Sequence, residues 1–143
     1  MTQTLDARDH GIAITESDHR RLDEILQSEG HRHVNPALLR ALRQELERSN
    51  VVPDSDVSSV VVTMNTQVRV RDLDLGGTAV YTLVYPEQAD IETGKISVLA
   101  PMGLALLGAR LGDTVEFDTP GGRRRLKIVK VPYQPEAWGH THL

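Results

Sequence analysis

Two carboxylates, Asp90 and Glu92, stand just ahead of Gly94-Lys95 in this 143-residue chain, and a proline, Pro101, follows nearby. Such an acid pair is either a solvated loop or a polar contact surface beside Pro101, and the residues alone leave both readings open. His31 and His33 flank Arg32, with Glu29 just before them. Alternate histidines can ligate a metal, but two ligands with no cysteine nearby make an incomplete site, so a solvated loop is the better reading. The same holds for His140 and His142. Arg123-Arg124-Arg125, followed by Lys127 and Lys130, has the look of a phosphate patch. Alternate side chains of a strand point to opposite faces, however, which splits the cluster. Arg124 must then find a partner or lie on an edge strand, where charges block aggregation. No Gly-x-Ser-x-Gly nucleophile motif and no phosphate loop is present; Gly76-Gly77 and Gly121-Gly122 read as turns. With no cysteine, disulfides, thiol nucleophiles and thiolate metal sites are excluded. Aromatics at 3% argue against a site built from stacked rings.

The elements that must position these residues follow from composition and pattern. The length fits one domain, or one domain with a small appendage, and 39% hydrophobic with 25% charged residues is an ordinary globular balance. No apolar run approaches the roughly 20 residues that span a bilayer, and the polar N-terminus lacks a signal-peptide pattern, so a cytoplasmic location is the expectation. The net charge of −4 is uneven: residues 1–58 hold 7 basic and 11 acidic side chains, residues 59–143 hold 9 of each. A mildly acidic module is thus joined to a neutral one. Direct binding to bare nucleic acid is not favoured, because phosphate neutralisation needs a basic face.

Gly11-Ile-Ala-Ile14 reads as a short extended piece. Thr15-Glu-Ser-Asp18 supplies capping oxygens and early acids for a helix. Leu22, Ile25 and Leu26 follow at helical spacing, and Gly30 is expected to stop it. Asn35-Pro36 reads as N-cap and first residue of a second helix, with Leu38, Leu39, Leu42 and Leu46 on one face. The short connection makes the pair an antiparallel hairpin whose leucines are expected to pack on one another. Thirteen to fifteen residues per helix give an arm of roughly 20 Å. Ser49–Ser59 reads as a linker. Val60–Met64, Gln67–Arg71, Thr78–Tyr85 and Lys95–Leu99 read as strands, with a glycine hairpin at Asp72–Gly77. A helix from Pro101 is expected to bury Leu104, Leu106, Leu107 and Leu111, with Gly108 and Gly112 at its end. Asp113–Thr119 and Arg123–Val131 form a last hairpin, and Tyr133–Trp138 reads as irregular. The fold class is α+β: a short N-terminal antiparallel helical hairpin (1–52), a linker (53–59) and a mostly antiparallel sheet with one helix (60–143).

Residues 60–131 resemble the C-terminal domain of GreA/GreB-type transcript-cleavage factors. The order Ala89-Asp-Ile-x-x-Gly-Lys-Ile-Ser-Val98, Pro101-x-Gly-x-Ala-Leu-Leu-Gly108, Gly112-Asp-x-Val115 and Thr119-Pro-Gly-Gly122 carries the likeness. Val61-Val-Thr-Met-Asn65, Thr82-Leu-Val-Tyr-Pro86 and Tyr133-Gln-Pro-Glu-Ala137 are similar to the Rnk family, regulators of nucleoside diphosphate kinase, as is the short hairpin in place of a long one. The resemblance implies an FKBP-like C-terminal domain that docks on core RNA polymerase near the secondary channel. In Gre factors a long coiled coil enters that channel, and acids at its tip help hold a catalytic magnesium ion. Here the arm is truncated, and its tip, Glu29 to Asn35, holds one acid, whereas a hard cation needs several oxygen ligands. The implication is a non-enzymatic regulator that competes with Gre factors without stimulating cleavage and needs no cofactor. Its docking surface would include Asp90 and the Ala100-Pro101-Met102 turn; the Gre pattern has serine where Ala100 stands, so a hydroxyl is missing.

Two other functions compete. One is regulation of a kinase by protein contact, without polymerase. The other is peptidyl-prolyl isomerisation, suggested by an FKBP-like fold alone. An isomerase pocket needs an aromatic lining, and residues 60–131 contain only Tyr81, Tyr85 and Phe117.

Overall fold

The computed structural model describes residues 12–28, 30 and 34–139. A short strand, β1 (Ala13–Thr15), leads straight into helix α1 (Glu16–Gln27). Thr15 is its N-cap, with its side chain accepting from the Asp18 N–H at 3.1 Å. Glu16 and Asp18 then sit in the first turn, where the helix dipole favours acids. The helix does not run to a glycine stop. It ends at Gln27, and Ser28 leaves in an extended conformation while its N–H donates to Ile25. Gly30 lies beyond, without the positive φ of a glycine cap. Helix α2 (Pro36–Arg48) starts as its sequence dictates: Asn35 Oδ1 accepts from the Ala37 N–H at 2.9 Å and Pro36 takes the first turn. Ser49 closes it, donating to the Leu46 carbonyl.

Strand β2 (Asn50–Val52) pairs in parallel with β1. The residues just before α1 therefore lie beside those just after α2, so the two helices go out and return as an antiparallel hairpin. The stretch from Ser49 to Ser59 is thus more than a linker. It carries β2 and a 3-10 turn, Asp54–Asp56, whose Asp54 carboxylate accepts from both the N–H and the hydroxyl of Ser17.

The remainder is a five-stranded sheet with one helix across it. Its strands are β3 (Gln67–Asp72), β4 (Thr78–Val84), β5 (Lys95–Ser97), β6 (Thr114–Thr119) and β7 (Gly122–Tyr133), in the spatial order β5-β4-β3-β7-β6. All pairs are antiparallel except β4–β5. The short helix α3 (Pro101–Leu106) carries the chain from the β5 edge towards the β6 edge and touches both strands. It lies so close to the end of β5 that a Cβ on Gly103 would sit 1.9 Å from the Ser97 carbonyl oxygen. No residue but glycine fits there.

Three further expectations from the sequence are corrected. Val60–Met64 is not a strand of the sheet; it makes a single bridge, Val61 to Arg110, although Val61, Val62 and Met64 are buried. Its apolar run reflects burial, not ladder pairing. Because α3 stops at Leu106, Leu111 falls outside it and is 44% exposed. Residues 133–138 are not irregular: Gln134 is buried, its amide donates to the Ser58 and Val61 carbonyls, and Glu136–Trp138 forms a 3-10 turn. Of the two alternatives for Arg124, a partner or an edge, the structure bears out the partner, since β7 lies between β3 and β6. Arg124 finds its partner in Asp72.

The hairpin leucines do not pack only on one another. Leu22, Leu42 and Leu46 belong to one apolar cluster that also contains Met64, Val68, Leu83, Leu106, Leu126 and Ile128. Ile12 is the hinge of this continuity, lying against Gly108, where a Cβ would fall 2.4 Å from the isoleucine Cβ. No helix among the described residues is long and apolar enough to cross a membrane.

Candidate functional site

Asp90 begins a tight loop between β4 and β5. Its backbone exchanges two hydrogen bonds with Lys95, each 2.9 Å, which closes the loop on itself. Its carboxylate accepts from the Glu92 N–H at 3.1 Å and so caps the 3-10 turn Ile91–Thr93. Asp90 and Glu92 are both exposed, and Ile91 between them is 83% exposed. The loop therefore presents an apolar side chain flanked by two acids. Ile91 was missed from the sequence because it sits inside a family motif with no periodic signal of exposure.

The second part of the predicted surface is the start of α3. Ala100 takes the extended N-cap conformation but has no side-chain oxygen to cap with; its N–H donates to the Ser97 carbonyl and its carbonyl accepts from Leu104. Pro101 is exposed, whereas Met102 is half-buried and packs against the core. Of this turn, Pro101 is the residue most open to an outside contact. It lines a cleft of about 370 Å³ between α2, α3 and β6, whose walls include Ala41, Glu45, Ala105 and Glu116. Asp90 and Glu92 do not line that cleft. The structure thus places the predicted residues on two neighbouring features joined by β5, not in one pocket. The hairpin-tip residues Glu29, His31, Arg32 and His33 lie outside the described residues.

A third constellation was not anticipated as such. Asp18 is 8% exposed, and its carboxylate accepts from the Met64 N–H at 3.0 Å and from the Tyr85 hydroxyl at 3.1 Å. Burial pushes this carboxyl up to about 6, and the nearby Glu136 charge adds to the effect; the bonds from Met64 and Tyr85 oppose it. Burial, with the facing Asp18 charge, also raises the Tyr85 hydroxyl above its usual range. The Arg21 guanidinium lies 3.8 Å from the centre of the Tyr85 ring. Beside it, the Thr63 hydroxyl donates to Glu136 at 2.6 Å and shares a 2.8 Å bond with Thr66. The network ties α1, the 63–66 segment, the end of β4 and the C-terminal turn together. It orients the hairpin on the sheet. In the sequence Asp18 reads only as a helix-start acid, and nothing local marks it as buried.

The family comparisons agree with this architecture. Residues 57–133 match the family described as transcription elongation factor, GreA/GreB, C-term, and residues 11–52 match the Rnk N-terminus. The chain is 37% identical over 129 residues to the regulator of nucleoside diphosphate kinase of Escherichia coli (strain K12), covering 90% of this chain and 93% of that protein. It is 28% identical over 129 residues to transcription elongation factor GreA of Beijerinckia indica, covering 90% and 78%. A solved prokaryotic transcription elongation factor GreA/GreB from Nitrosomonas europaea superposes with a TM-score of 0.73 at 39% identity, over 85% of this chain and 99% of that one. A hairpin matching the Rnk N-terminus, followed by a sheet domain matching the GreA/GreB C-terminus, makes this chain a member of the Rnk family, related to the GreA/GreB elongation factors.

Proposed function

We propose that this protein is a non-enzymatic transcription regulator that binds core RNA polymerase near the secondary channel and does not stimulate transcript cleavage. The observation that carries the reading is the length of the arm. Helices α1 and α2 have 12 and 13 residues, and β1–β2 pairing closes their base. At about 1.5 Å per residue the arm reaches roughly 20 Å. The tip segment holds a single acid, Glu29, too few for a magnesium ion. In this reading residues 60–143 form an FKBP-like docking domain and residues 1–52 a blunt arm that occupies the channel mouth. The Asp90–Glu92 loop and Pro101 form the docking surface, with Ile91 as its apolar centre and two carboxylates as its polar rim. Such an arrangement suits a basic protein surface.

The test is competition with a Gre factor on a stalled elongation complex. Added protein should displace the Gre factor and slow the cleavage that it stimulates, and should cause none of its own. Robust cleavage with this protein alone would overturn the reading. A second reading, direct regulation of nucleoside diphosphate kinase, is favoured by the name of its Escherichia coli relative. Capture of that kinase, with no capture of core polymerase, would select it.

A further inference from the structure

The neutral balance of residues 59–143 conceals a one-sided distribution. On the solvent face of the two central strands, Arg69 of β3 stands directly opposite Lys130 of β7, and Arg71 stands opposite Lys127. All four side chains are exposed. Like charges facing each other across a ladder are destabilising, with Cβ atoms about 5 Å apart. Successive rungs on one face are about 7 Å apart. The same strand shows that the chain pairs its cations elsewhere. Arg123 binds Glu116 and Asp118, each at 2.9 Å, Arg124 binds Asp72, and Arg125 binds Asp74 at 2.9 Å. Among the described residues none of Arg69, Arg71, Lys127 and Lys130 forms an ion pair.

A backbone irregularity builds the square. Lys127 and Lys130 are three residues apart, which in a regular strand would send them to opposite faces. Arg69 pairs with Lys130 and Val70 with Ile128, so Val129 is an extra residue, a bulge that returns Lys130 to the outer face. One step further along this ladder, Tyr133 stands opposite Gln67, and its ring lies 5.7 Å from that of Trp138, which is 61% exposed.

We propose that the outer face of the β3–β7 pair binds single-stranded nucleic acid, with the four cations on successive phosphates and the Trp138 ring stacking a base. Unpaired cations tracking a backbone, next to an exposed ring, are the chemistry of single-strand binding. The face has only one apolar neighbour on the adjacent strand, Val80, 40% exposed opposite Arg69, among four cations. It is separate from the Asp90–Pro101 surface, so either binding can be lost without the other.

The test titrates the full chain with a short oligouridylate, followed by fluorescence of Trp138, the one tryptophan present, and by anisotropy of the labelled oligonucleotide. The expected result is saturable binding whose log–log salt slope is about −2.8, for four phosphates at about 0.7 each. Arg69→Gln with Lys130→Gln should lower that slope by about 1.4 and the affinity by at least about tenfold. Arg71→Gln with Lys127→Gln, on the neighbouring rung, should do the same and serves if the first pair fails to fold. Trp138→Ala should weaken binding by about tenfold with the slope unchanged. The proposal is overturned if no oligonucleotide binds, or if binding survives both double changes. It is equally overturned if polyglutamate, and not oligouridylate, is the ligand that the glutamine variants lose.

Discussion

Asp18 shows how one residue can carry two roles on different surfaces of a fold. As the third residue of α1 its backbone meets the Thr15 cap, and its carboxylate points into the protein toward Met64 and Tyr85. Its carboxyl lies at about 6 when folded, against 3.8 for the ordinary group. A folded value above the unfolded one means that the native state holds the proton more tightly between those two pH values. The stability linked to this group is therefore fully present below about pH 4 and is lost as pH rises through about 6. The shift corresponds to about 3 kcal/mol. In Asp18→Asn the side chain cannot ionise. The stability of the variant relative to the parent should thus rise by up to about 3 kcal/mol between about pH 4 and pH 7. Urea unfolding across that range checks it, and a pH-independent difference would show that Asp18 titrates normally.

Among the elements, two short pieces would carry the proposed docking surface. The loop before β5 is held by the paired Asp90–Lys95 backbone and by the Asp90 cap, which keeps Ile91 outward. Helix α3 is pinned by the close approach of Gly103 to Ser97, which sets Pro101 at its exposed start. Both contacts run through β5, so the loop and the helix are expected to act as one surface. Asp90→Ala combined with Pro101→Ala should weaken capture of core polymerase by at least about tenfold, because a rim charge and the exposed proline at the start of α3 are removed together. Undiminished capture would move the docking surface elsewhere. Thermal unfolding of the same variant separates docking from folding. Loss of the Asp90 cap should lower stability by only about 1 kcal/mol.

For the whole molecule, the continuity of the core matters more than the apparent division into arm and sheet. Ile12, Ile14, Leu22, Leu42 and Leu46 lie in the same cluster as the sheet residues, and the polar network from Asp18 to Glu136 crosses the same junction. Unfolding should accordingly be a single transition. Helical circular dichroism, which follows the hairpin, and fluorescence of Trp138, which follows the C-terminal turn, should give coincident midpoints. Two separated transitions would show that the hairpin folds independently of the sheet.

Local signals alone were enough for the caps at Thr15 and Asn35-Pro36, the alternating strands β3, β4 and β6, and the glycine hairpin after Asp72. Each of these depends on a residue and its near neighbours, so pattern and φ preference determine it. The family motifs likewise single out Asp90 and Pro101 as the proposed docking residues. What spans long separations was decided only in three dimensions. Asp18 is 46 residues from Met64 and 67 from Tyr85, so its burial has no local trace. Arg124 reaches its carboxylate 52 residues away. The β3–β7 register, with its bulge at Val129, gathers Arg69, Arg71, Lys127 and Lys130 onto one face of a region whose charges sum to zero. Charge counts average over both faces of a sheet, and only the pairing of distant strands says which face each charge occupies.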